Sequence, residues 1–346
     1  MTRRVTGAGG LLGRFVVDEL LKRGLRSHGT TDMPKKILIT GGCGWLGAEI
    51  VRKLLARGDE VVAADLSISP AISALAREQP LLKAVMADLG EWRQVLQLMQ
   101  VHEPDAVVHT AAIVGVALTA DIPIKTLRVN VEGSINLFEA MRLTGVRRVV
   151  HISTEETYGD FQSPIIDEEH PQKPVSIYGL TKLAVEHHGR VYARDHGLEC
   201  INVRTCWVYG PHLPRLRLPR TFIEAALKGE PFHQPDGASF AVDQVYIDDT
   251  VAGVILALDK AEHHFDAYNI ATGQSPTIAE TADAVNRAVP GARITVGNAP
   301  YRHGGTVLSA VKGALDISRA AAELGYSCRY NIQAGIDATV AATRAA

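Results

Sequence analysis

The sequence predicts an α/β fold: a doubly wound parallel sheet with a smaller, discontinuous C-terminal substrate lobe. Three observations carry this. From Lys35 onward, short apolar strand patterns alternate with amphipathic helical ones. A glycine-rich turn joins the first such strand to its helix. The alternation stops after Gly210-Pro211, where prolines cluster. A length of 346 residues suits two domains, or one α/β unit with a lobe.

Strand patterns fall at 35–40, 60–65, 83–88, 105–110, 146–153 and 198–205. The first two, KKILIT and EVVAAD, are near-continuous apolar runs, as suits strands covered on both faces. Helical patterns separate the strands, and right-handed crossovers then wind the sheet in both directions. Beyond residue 210, Pro211, Pro214, Pro219, Pro231 and Pro235 interrupt the pattern. Asp248-Asp249-Thr250 opens an apolar helix over 251–258 that returns to the sheet, and Thr277-Ile278-Ala279-Glu280 reads as a capping box. The expected division is 34–210 plus 241–261 for the sheet domain, and 211–240 plus 262–346 for the lobe. A ligand is expected between the lobe and the carboxyl ends of the strands.

Residues 1–33 read as a truncated repeat of the first βα unit. TGAGGLLGRFVVDELLKRG at 6–24 aligns without a gap on TGGCGWLGAEIVRKLLARG at 40–58. The first copy lacks flanking apolar strands, so the second is the working unit.

With 36 basic and 38 acidic residues the net charge is −2, which gives no general drive toward nucleic acid or an anionic membrane. Cys43, Cys200, Cys206 and Cys328 have no CxxC spacing, and the 13 histidines form no HExxH pattern. No disulfide framework and no metal site are expected. No apolar run approaches the ~18 residues that span a bilayer. Arg14, Asp18 and Glu19 interrupt any signal-like segment, so a cytoplasmic location is expected.

The turn Gly41-x-x-Gly44-x-x-Gly47 ends a strand and opens a helix. Its glycines allow the backbone to approach a pyrophosphate, and the helix N-terminus offers free N–H groups. Gly41, Gly44, Trp45, Leu46 and Gly47 are therefore candidate dinucleotide contacts in a Rossmann-type unit. Asp65 ends the next strand, where a carboxylate can accept ribose hydroxyls and repel a 2′-phosphate; this favours NAD over NADP. Asp88 and Leu89 end the third strand, either facing the adenine or capping the following helix.

Tyr178 and Lys182 lie four residues apart at the start of a helical pattern, on one face. A free phenol has a pKa of ~10. An ammonium ~4 Å away, worth roughly 4 kcal/mol at an effective dielectric of 20, would bring it down by about three units. Upstream, VVHIST reads as a buried strand ending in hydroxyl residues, the last being Thr154, which can hold the reacting oxygen of a substrate.

From about Lys35 to the C-terminus the chain resembles the extended short-chain dehydrogenases, the NAD-dependent epimerase/dehydratase family. TGGCGWLG matches that family's TGxxGxxG, VVHTAA at 107–112 its HxAA strand, and NVEGSINL at 130–137 its NVxGTxNL. HISTEETYG, YGLTK and VRTCWVYGP follow in the family's order. The resemblance implies that Tyr178 is the acid/base, that Lys182 lowers its pKa and holds the nicotinamide ribose, and that Thr154 bonds the reacting oxygen. It implies that Ala111 and Ala112 line the cofactor cleft and that Asn130 supports a contact near the ribose. It implies a carbohydrate-like small-molecule substrate and a homodimer through the helices around 127–143 and 178–193. Glu155-Glu156 stands where the sugar-nucleotide dehydratases carry an Asp-Glu acid and base pair. Here Glu155 is a candidate substrate contact and Glu156 a candidate catalytic residue, or either bonds polar loops.

Two positions depart from the pattern. Trp207 stands where nucleotide-sugar members usually have Asn, and Val242 where they usually have Arg. An aliphatic chain cannot neutralise a diphosphate, so a smaller polyol, sugar or sugar acid fits better, with Trp207 as a substrate contact. Arg215, Arg217 and Arg220 either bind an anion or form a solvated basic loop. The implied reaction is oxidation of a secondary hydroxyl with hydride transfer to NAD. It ends in epimerisation, in loss of water, or in net dehydrogenation. The alternative of another class is a non-catalytic NAD-binding regulator.

Overall fold

The computed structural model describes residues 35–345; the repeat at 1–33 lies outside them. Seven strands form one parallel sheet: β1 Lys36–Thr40, β2 Glu60–Asp65, β3 Leu82–Met86, β4 Ala106–His109, β5 Arg148–Thr154, β6 Glu199–Thr205 and β7 Ala267–Ile270. Their spatial order is β7-β6-β5-β4-β1-β2-β3. The order reverses between β1 and β4, so the strand carboxyl ends open into a crevice there. In β1 the last four residues are buried, as the apolar run requires of a central strand.

Helix α1, Trp45–Arg57, buries Ile50, Val51 and Leu54 on one face and ends at Gly58, which takes φ 95° and returns its N–H to Leu54 and Leu55. Helix α2, Ile177–His196, starts at Ser176, whose hydroxyl accepts from the Gly179 N–H. The capping box at Thr277 and Glu280 forms as the spacing predicts.

The structure corrects the division in two places. Strand β7 lies within the stretch assigned to the lobe, yet it pairs with β6 from Asn202 to Thr205. Four residues after a polar segment carry too little periodicity to signal an edge strand. The lobe also shares the sheet's core rather than building its own. Phe222, Ile223, Ile278 and Ile336 belong to the same buried cluster as Ile37, Ile39 and Val203. The chain from Lys35 onward is correspondingly one compact unit. Within the lobe, Arg220–Lys228 forms a helix, and Phe232–Asp236 pairs in parallel with Ile294–Ala299.

The helix expected around 127–143 is broken. Pro123–Leu127 runs into a π turn, Arg128–Glu132, before Gly133–Thr144 resumes α geometry. Among the described residues, no helix is long and apolar enough to cross a membrane. No cluster of three or more His, Cys, Asp or Glu able to hold a metal occurs among them either.

Candidate active site

The glycine turn is built by steric necessity. Gly41 has φ 71°, and a Cβ there would lie 2.7 Å from the Ala111 N. A Cβ on Gly47 would lie 2.1 Å from the Gly41 carbonyl oxygen. The N–H groups of Gly41 and Gly42 donate to the Ala64 carbonyl at 2.8 and 3.1 Å, tying the turn to β2. Gly44 caps α1 without a side-chain bond, and the first turn of α1 holds no acid. That leaves an open helix N-terminus, which fits the pyrophosphate of a dinucleotide. Asp65 accepts from the Cys43 N–H at 3.0 Å and the Leu66 N–H at 2.8 Å. Each oxygen keeps a lone pair for a ribose hydroxyl.

The other cofactor candidates lie just past the carboxyl ends of β1, β3 and β4, or in the π turn that holds Asn130, with different tasks. Leu46 packs half-buried against the core. Trp45 donates its indole N–H to the Pro211 carbonyl at 2.8 Å, tying α1 to the lobe. Asp88 accepts from the Gly90 N–H at 2.8 Å, and it is Glu91, not Asp88, that caps the next helix. Leu89 is buried against Gly133. Ala111 and Ala112 are half-buried in the loop after β4. Asn130 grips Ile113 in that loop, accepting from its N–H at 2.7 Å and donating to its carbonyl at 2.9 Å.

Tyr178 and Lys182 are both buried on the α2 face that meets β5. The structure corrects the expected pairing of the two. The Lys182 ammonium donates to the Ile152 carbonyl at 2.7 Å and lies 3.4 Å from His151 Nε2. His151 Nδ1 in turn meets Asn202 Oδ1 at 2.9 Å. Burial brings Lys182 down to about 7. Burial also pushes the Tyr178 phenol up to about 12, against the pull of Arg215 first and Arg217 after it, while Glu156 adds to the rise. Desolvation therefore outweighs attraction in the free protein. The cations that favour the phenolate come from the lobe, not from the helix. The Thr154 hydroxyl also favours the Tyr178 anion and accepts the Glu156 N–H at 3.3 Å.

Glu155 and Glu156 follow Thr154 in a 3₁₀ turn, both buried. Glu156 lies 3.4 Å from the ammonium of Lys312, a residue the sequence reading did not single out. The Lys312 ammonium has no hydrogen-bond acceptor and sits 5.3 Å from the Phe161 ring centre. Burial pushes Glu155 up to about 8, against the pull of Lys312, and its Oε2 has no partner. A carboxyl with a raised folded pKa binds its proton more tightly folded than unfolded, so its contribution to stability is lost as pH rises from about 4.5 through about 8. The stability advantage of Glu155→Gln over the wild type should widen by on the order of 3 kcal/mol between pH 6 and pH 9. Urea titrations at both pH values test this; a gap that ignores pH means the carboxyl ionises normally.

Trp207 is buried, its ring 5.5 Å from Tyr301, 6.0 Å from His303 and 6.0 Å from Phe240. Phe240 and Tyr301 lie in loops and His303 in a two-residue strand, all too short for a periodic pattern, so the sequence offered no signal. Val242 is fully buried in the core, and Asp243 beside it accepts from Thr272, Gly273 and Leu315 N–H groups. Arg220 is tied to Glu224 and the Leu213 carbonyl. A cavity of about 370 Å³ lined by Leu213, Arg220, Glu224 and Thr339 does not include Tyr178.

The NAD dependent epimerase/dehydratase family model matches residues 37–271. A UDP-glucose 4-epimerase of Mycolicibacterium smegmatis is 30% identical over 311 residues, covering 88% of this chain and 97% of that protein. A dTDP-glucose 4,6-dehydratase of Xanthomonas campestris pv. campestris is 28% identical over 322 residues, covering 88% and 91%. The crystal structure of a Thermus thermophilus UDP-glucose 4-epimerase in complex with NAD superposes with a TM-score of 0.75 at 28% identity, covering 90% and 99%. Glycine turn, buried tyrosine–lysine helix and sheet order thus occur together in a chain that matches these proteins over most of its length. This protein belongs to the NAD dependent epimerase/dehydratase family.

Proposed function

We propose that the protein oxidises a secondary hydroxyl of a sugar or sugar derivative, with Tyr178 as the acid/base and NAD held over the glycine turn. The observation that carries this is the meeting of Tyr178 with Thr154 at the carboxyl end of β5, beside the crevice that the glycine turn opens. Bound NAD supplies the acceptor for the hydrogen on the carbinol carbon. Tyr178 exchanges the hydroxyl proton, and Thr154 orients the oxygen. Lys182 spends one N–H on Ile152 and directs a second toward His151 Nε2, which leaves the third for a ribose or the phenol. Glu156 is the second acid/base candidate in the pocket, with Lys312 as its counter-charge. Gly41, Gly44, Gly47, Asp65 and the loop held by Asn130 form the cofactor side.

Release of the ketone as product, a net dehydrogenation of a small polyol or sugar acid, is the second reading. It is favoured by Val242 being buried in the core where family members place an arginine. Incubation with NAD and a panel of sugars, sugar acids and nucleotide sugars separates the two. Accumulating NADH absorbance marks a dehydrogenase, and NMR-detected product without it marks an epimerase or dehydratase. No conversion anywhere in the panel counts against both. We also infer a homodimer through the helices Pro123–Leu127, Gly133–Thr144 and α2, which leave Ile124, Leu127, Leu143, Leu180 and Val191 exposed. A monomer mass by light scattering removes this inference.

A further inference from the structure

We propose that Arg215 and Arg217 form a recognition site for a substrate carboxylate close to the reacting carbon, so that the substrate is a free sugar acid. The inference rests on Tyr178 being the acid/base.

The two side chains come from the lobe but are anchored on the strand ends of the sheet domain. Arg215 Nη1 donates to the Val114 carbonyl at 2.6 Å, in the loop after β4. It passes over Gly115, where a Cβ would lie 2.6 Å from that nitrogen and where φ is 114°. The Arg217 guanidinium stands 5.3 Å over the Trp207 ring and reaches the Val208 carbonyl at 3.4 Å. Each guanidinium carries five N–H donors, so most of them remain free. Nearby arginines are paired: Arg204 with Glu186 and Arg220 with Glu224. Neither Arg215 nor Arg217 makes an ion pair with a carboxylate among the described residues.

Two half-buried cations from one short segment are unfavourable without an anion. Burial lowers the pKa of both, and for Arg217 the neighbouring Arg215 adds to the fall. A bound carboxylate offsets that cost with charge-assisted, bidentate bonds. The location selects the anion. Arg215 is held on the loop after β4 and Arg217 over Trp207, both bordering the crevice, and both favour the Tyr178 anion. An anion they hold therefore lies near the carbinol, as in a hydroxy acid. The diphosphate of a nucleotide sugar is separated from the reacting carbon by the sugar ring.

The test is calorimetry on the full-length protein with D-gluconate, D-glucuronate, D-glucose, UDP-glucose and inorganic phosphate as probes. The expected result is binding of at least one carboxylate in preference to glucose, UDP-glucose and phosphate. That binding should weaken roughly 10- to 100-fold in Arg215→Gln and in Arg217→Gln, with NAD affinity measured on each variant as the folding control. The wild-type comparison stands without the variants. No preference of the wild type for a carboxylate, or tighter phosphate than carboxylate, overturns the proposal. So does equal carboxylate binding in wild type and folded variants. Tyr178-dependent conversion of UDP-glucose unaffected by the arginine changes overturns the sugar-acid assignment and leaves the oxidation reading intact. Arginine-dependent carboxylate binding without any NAD-coupled conversion supports the anion site and defeats the oxidation reading.

Discussion

Tyr178→Phe should lower kcat/KM for NAD reduction by about 10²- to 10⁴-fold, the usual worth of a positioned acid/base. NAD affinity should stay within about threefold, because the substitution takes one oxygen and leaves the ring. The phenyl group would keep its place on the buried face of α2. The glycine turn and Asp65 do not depend on the hydroxyl, since their bonds run to Ala64, Cys43 and Leu66. In the free protein the phenol is held at about 12. Oxidation needs it ionised, so kcat/KM should climb with pH across the neutral range. The checks are NADH absorbance under single-turnover conditions and cofactor titration by fluorescence quenching. Unchanged turnover in Tyr178→Phe removes the acid/base assignment. Unchanged cellular function in a variant that still binds NAD would favour the regulator.

Arg204→Met should cost about 3–5 kcal/mol, since it leaves the buried Glu186 carboxylate with only the part-exposed Arg190, at 3.2 Å, as counter-charge. Arg204 Nη2 and Nε meet Glu186 at 2.7 and 3.1 Å, and both residues are almost fully enclosed. Arg204 Nη1 also donates to the Tyr158 hydroxyl at 3.0 Å and to the Glu168 carbonyl at 3.1 Å. Glu186 further accepts from the hydroxyl of Ser153, next to Thr154 in β5. This network clamps α2 to β5 and β6, and so sets where Tyr178 meets Thr154. Burial alone would raise the pKa of Glu186; Arg204, with hydrogen bonds from Ser153 and Gln172, more than reverses that. A thermal melt of Arg204→Met should fall by roughly 5–15 °C. Adding Glu186→Gln should recover part of the loss by removing the stranded charge. A single variant as stable as wild type, or a double variant worse than the sum of the singles, would refute the account.

Much of the fold was legible because its signals are local. The six predicted strands lie within about two residues of their observed ends, since a strand covered on both faces must be apolar along its length. The glycines were readable because a Cβ at Gly41 or Gly47 collides with backbone whatever the rest of the chain does. The strand β7 escaped notice because four residues carry almost no pattern. The i, i+4 spacing correctly placed Tyr178 and Lys182 on one face, but not where the ammonium goes. Ile152, a carbonyl in β5, claims it.

The residues alone therefore determined the alternation of elements, the open helix N-terminus of the cofactor turn, and the helical face shared by Tyr178 and Lys182. These follow from steric and periodic rules that act over a few residues. Only the tertiary structure decided the charge around the phenol. Arg215 and Arg217 come from one segment of the lobe and Glu156 from the turn after β5, and loop closure and burial set how strongly they act on Tyr178. Coulomb energy depends on distance in space and on exclusion of water, and neither is written in the spacing along the chain.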